Sequence, residues 1–179
     1  MCVQQARRVE KWKSGTAAGS STFCLPAVVA ESLAQALLGA LEASGLGRDD
    51  VRWAQAQVVL AKLHILRGTV LDGRDIAREV RPLARLQGWK EEEIECHHIL
   101  ARVATQTGAV EQSREHLLAG LELADELKDM RLKGALLRHL VHVLLWIGDV
   151  DGARDVGRQS YECFKAGGPD DEHEVGRCL

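Results

Sequence analysis

The chain has 179 residues, a formal net charge of −3 and aromatic residues at only 4%. That length suits one domain with a sizeable core, and the near balance of charge argues against a dedicated nucleic-acid binder, which carries a strongly basic face. Scarce aromatics disfavour a β-sandwich and leave an all-α chain as the expectation. The five cysteines (Cys2, Cys24, Cys96, Cys163, Cys178) form no CxxC pair, so the expected compartment is a reducing one, the cytoplasm.

Residues 1–27 open with Arg7, Arg8, Lys11 and Lys13 and continue in Ser, Thr and Gly. They read as a disordered or irregular leader, with an organelle transit segment as the alternative. The apolar run from Phe23 to Ala43 is interrupted by Glu31, Gln35 and Glu42, so no membrane span is expected there.

From about residue 52 the sequence repeats. GTVLDGRDI from Gly68, GAVEQSREH from Gly108 and GDVDGARDV from Gly148 lie forty residues apart. Each glycine is followed, five residues on, by a small residue, an arginine and an acid: Gly73-Arg74-Asp75, Ser113-Arg114-Glu115 and Ala153-Arg154-Asp155. Upstream, Leu60, Leu100 and Leu140 align, as do Ala61, Ala101 and Val141. Apolar residues at helical spacing within each unit predict a first helix running to about the glycine and a second starting near the small-Arg-acid triplet. The small residues are expected at the helix crossing, and short linkers make the helices antiparallel neighbours. Pro82 falls inside one second helix and should kink or shorten it. ESLAQALLGALE from Glu31 matches EQSREHLLAGLE from Glu111, which makes residues 28–48 the second helix of a degenerate repeat. Repeats then span 52–91, 92–131 and 132–168, and 169–179 is a tail or the start of a truncated repeat.

These residues resemble the tetratricopeptide repeat (TPR) family in a forty-residue form, over about residues 28–168. Where the family often carries large aromatics, this chain has Gln57, His97 and Leu137, then His64, Ala104 and Leu144. The resemblance implies a right-handed α-solenoid of antiparallel helix hairpins, about three and a half repeats long. It also implies a non-catalytic scaffold that holds a partner peptide or helix in a groove lined by the first helices.

In such a groove one rung of equivalent positions reads Lys62, Arg102, His142, and the rung a turn earlier reads Val58, His98, Arg138. The candidate binding residues are therefore Lys62, His98, Arg102, Arg138, His142 and, as an aromatic anchor, Trp146. A cationic stripe of this kind suits an acidic segment. The chain contains no asparagine, so it lacks the asparagine that some family members add to a carboxylate clamp.

Other features read as local structure. Arg74, Arg78, Arg81 and Arg85 form a basic stripe on a second helix, without the aromatics that stack bases. Cys96 occupies a packing position, and the nearby His97, His98, His139 and His142 are expected in core or groove rather than on a metal. No Walker loop, GxSxG elbow, HExxH or dinucleotide glycine pattern is present, so neither an enzyme nor a cofactor is expected. Two functional readings stand: a peptide-binding scaffold, or a structural piece of a larger TPR regulator or cell-division or cytoskeletal scaffold. The second predicts self-association through uncapped ends.

Overall fold

The computed structural model describes residues 24–45 and 47–166. Among these, seven α-helices follow one another with no strand: α1 Cys24–Ala43, α2 Val51–Arg67, α3 Val70–Gln87, α4 Lys90–Thr107, α5 Val110–Leu127, α6 Met130–Ile147 and α7 Val150–Ala166. A short 3₁₀ turn, Gly47–Asp49, precedes α2. The expectations for most of the leader and for the 169–179 tail lie outside the described residues.

From α2 onward the joints are two residues long. Each helix stops at a residue in the left-handed conformation, and these residues are Gly68, Gly88, Gly108, Lys128 and Gly148, twenty apart. Glycine takes this conformation without the clash a Cβ introduces. The end of α6 shows how it closes: the Gly148 N–H donates to the Leu145 carbonyl at 3.2 Å and the Asp149 N–H to Leu144 at 3.0 Å. Asp129 and Asp149 then cap the following helices, Asp129 accepting from the N–H groups of Arg131 and Leu132 and Asp149 from that of Gly152. Second helices begin at Val70, Val110 and Val150, earlier than the small-Arg-acid triplet, which lies within them.

The triplet's small residue sits where each pair of helices crosses. Gly73 is buried against α2 so closely that a Cβ there would meet the Ala61 carbonyl oxygen at 2.8 Å. Forty residues on, the Ser113 hydroxyl donates to the equivalent carbonyl, that of Ala101, at 2.9 Å. Ala153 fills the same position in α7 and is buried.

Pro82 does not shorten its helix: α3 and α5 are each 18 residues long. Proline removes the amide that would serve the Arg78 carbonyl, but both residues are exposed, so solvent can take over that acceptor.

Successive helices pack against each other, and α2 also touches α4, as α4 touches α6. Two apolar clusters result. One joins Leu41, Trp53, Ala61, Ala77 and Val80 to Cys96, Ile99 and Val103 of α4. The other joins Ile94 and Ala101 of α4 to Leu117, Leu136, Val143 and Ala153. No described helix is long and apolar enough to cross a membrane.

Candidate functional site

The first helices α2, α4 and α6 bound a cleft of about 480 Å³. Its wall combines Val58, Val59 and Leu132 with Lys62, Arg131 and Arg138, and with Glu91, Glu92, Glu95 and Asp129. Of the six candidate residues, Lys62 and Arg138 line this cleft. Lys62 is paired with Glu95 of α4 at 2.7 Å. The Arg138 guanidinium lies 5.9 Å from the ring centre of Phe164, itself a cleft residue. Glu92 is buried and accepts a hydrogen bond from the Gln55 amide at 3.1 Å. The cleft therefore carries both signs of charge, not cations alone.

The acidic component was readable in principle. The rows one turn nearer the helix N-termini, in the same forty-residue register, are Gln55, Glu95, Ala135 and Val51, Glu91, Arg131. Their signal is weak because each row mixes charge types.

His98 and Arg102 lie between α4 and α6. The His98 ring tilts over His139 with 5.5 Å between centres. Burial first, and then the neighbouring His139, Arg102, Lys62 and Arg138, push the His98 imidazole down to about 3, so it is neutral at physiological pH. His139 is pushed down to about 4, by burial first and then by Arg102, His142 and Arg138. The Nε2 of His139 meets the Thr105 hydroxyl at 3.1 Å, while its buried Nδ1 has no hydrogen-bond partner among the described residues. Arg102 is half-buried and has no ion pair or hydrogen bond from its side chain among the described residues. Burial and Arg138 both act to lower its proton affinity. No carboxylate is among the groups that shift His98, Arg102 or His139. His142 is exposed, and Trp146, 66% exposed at the end of α6, stands outside the cleft.

A second histidine pair sits on the other side of α4, where the Nδ1 atoms of His97 and His116 are 3.2 Å apart, one ring donating its N–H to the other's bare nitrogen. His116 was not among the sequence candidates, because it lies on a second helix, nineteen residues from its partner. Cys96 is fully buried, and burial pushes its thiol up to about 12, so it packs as a small hydrophobe. Among the described residues no three His, Cys, Asp or Glu side chains are placed to hold a metal ion.

Comparison with protein-family models and with curated proteins finds no match for this chain.

Proposed function

We propose that the seven helices form a right-handed α-solenoid of the TPR type. Its first-helix face would hold a partner peptide or helix, without catalysis. The twenty-residue cadence of left-handed caps and the contacts between alternate helices support the solenoid. The observation that carries the binding function is Arg102, a half-buried guanidinium beside Arg138, His98 and His139 with no carboxylate among the described residues to meet it. Charges withdrawn from water are ordinarily paired. A partner segment that is acidic where it meets Arg102 would complete the arrangement by charge-assisted hydrogen bonds. Farther along, the cleft's exposed carboxylate at Glu91 would set its register.

Affinity enrichment from cell lysate, comparing wild type with an Arg102→Glu, Arg138→Glu double variant, tests this reading. Far-UV circular dichroism must first show that the variant remains folded. A partner held by wild type and released by the variant supports the groove. A partner held equally by both removes it.

A second reading rests on the far end of the array. There Val141, Leu145, Val150, Gly157 and Tyr161 line an open cleft of about 500 Å³, and Leu145 and Val150 are about half exposed. Forty residues before Leu145 and Val150, Thr105 and Val110 are only partly exposed, and Ala101 and Leu117, forty before Val141 and Gly157, are fully buried. A structural subunit would use such a face against another subunit. Sedimentation across a concentration series decides: a concentration-independent monomer argues against self-association through this face.

A further inference from the structure

Several arginines of this protein are paired with an acid. Arg48 meets Glu79, Arg52 meets Asp50, Arg67 meets Glu31, Arg74 meets Asp75 and Arg154 meets Asp151. Arg78, Arg81 and Arg85 are not, and unlike the isolated Arg102, Arg114 and Arg158 they stand together on one helix. Their side chains have no ion pair or hydrogen bond among the described residues. At intervals of three and four residues they share one face of α3. The acids nearest them along α3, Asp75 and Glu79, are already committed to Arg74 and Arg48.

This face looks onto the paired histidines. Arg81 acts on both His97 and His116, Arg85 on His97 and Arg78 on His116. The spot thus lies between two second helices, α3 and α5, with α4 as its floor. Glu115 is the one carboxylate among the groups that shift either ring. From α6, the neighbour at this point is the uncharged Leu136.

We infer that the α3–α5 face, through Arg78, Arg81, Arg85 and His116, is a second docking surface for an acidic protein segment. The charge calls for an anion, and the guanidinium fork suits a carboxylate. The three guanidiniums spread over two turns of α3, about 10 Å, a span that suits several carboxylates along one protein segment better than one small anion. The absence of aromatic side chains between the arginines disfavours nucleic acid, whose bases stack on such platforms.

The histidines supply a readout that a merely sticky basic surface would lack. Burial first, then His116 and the arginines, push His97 down to about 4. Burial first, then Arg81, lowers His116, with Glu115 opposing. A carboxylate docked beside His116 favours the imidazolium, so binding takes up a proton and tightens as pH falls.

The test uses fluorescence anisotropy on the full chain. The probe is a fluorescein-labelled synthetic peptide with glutamates at helical spacing. An Arg78→Gln, Arg85→Gln variant alters two exposed positions and should weaken binding about tenfold or more. An Arg102→Gln, Arg138→Gln variant, which removes the first-helix groove, should leave this binding unchanged. Affinity should rise from about pH 7.5 to about pH 5.5, and His116→Gln should abolish that rise. No peptide binding, or binding indifferent to Arg78→Gln, Arg85→Gln, overturns the inference. So does binding lost only with the groove variant, which would instead support the first-helix site. A labelled single-stranded oligonucleotide that binds more tightly than the peptide, or millimolar phosphate that displaces the peptide completely, overturns it in favour of a general anion surface.

Discussion

Lys128 is the only described non-glycine residue with positive φ, at φ 58° and ψ 27°. It ends α5 in a series whose other members are glycine. Placing an L-residue in this conformation costs about 1–2 kcal/mol. Glycine's larger freedom in the unfolded chain offsets about 0.4–1 kcal/mol of that. The Lys128 side chain is exposed and has no ion pair or hydrogen bond among the described residues, so its removal sacrifices no contact. Lys128→Gly should therefore stabilise the fold by about 0.5–1 kcal/mol. For a chain of this size that corresponds to a melting temperature about 1–4 °C higher. Urea titration followed by circular dichroism at 222 nm gives the free energy directly, provided the m-value is unchanged. The mirror substitution, Gly108→Ala, should cost about 1 kcal/mol at φ 83°. A Lys128→Gly midpoint at or below wild type would refute the argument, because it would mean that the joint does not hold this residue in the left-handed region.

Two further outcomes follow from the packing and the histidines. Gly73→Ala should lower stability by about 1 kcal/mol: the ~1 kcal/mol gain in helix propensity is outweighed by overpacking of ~1–3 kcal/mol, since the atom met is the Ala61 carbonyl oxygen, not a movable side-chain end. A raised melting temperature would show that α2 and α3 can separate freely. Acidification should destabilise the fold because His98 and His139, held near about 3 and about 4, bind fewer protons folded than unfolded. Their neutral burial is undisturbed above the ordinary value of 6.5, and stability falls as pH drops from there towards the folded values. Each contributes a loss of at most about 1 kcal/mol between pH 6.5 and 5.5. His98→Gln should flatten that slope in urea titrations at several pH values; an unchanged slope would place the sensitivity elsewhere.

The helical architecture was legible because glycines 68, 108 and 148 mark every other joint with an identical residue type. The intervening joints hid the shorter twenty-residue cadence. One of them uses Lys128, and their followers Trp89 and Asp129 share no chemistry. The site was less legible. Counting forty residues along the chain finds equivalent positions, but which neighbour each one faces depends on how adjacent hairpins rotate. His98 turns towards His139, while the equivalent Arg138 reaches the cleft. Burial of Glu92 and Glu93 near the start of α4 was equally hidden, since acids in a first helical turn usually face solvent. The His97–His116 pair joins residues on different helices, so no local motif announces it.

The helix α4 gives Cys96, Ile99 and Val103 to one apolar cluster and Ile94 and Ala101 to the other. Most contacts elsewhere are between neighbours in the chain, a topology that folds fast and lets the ends open without disturbing the middle. Because both clusters need α4, neither half can lose it and remain packed. Fraying therefore stops there from either direction. The amides of α4 should be the last to exchange with deuterated solvent, and this central helix is what makes two local cores unfold as one cooperative unit.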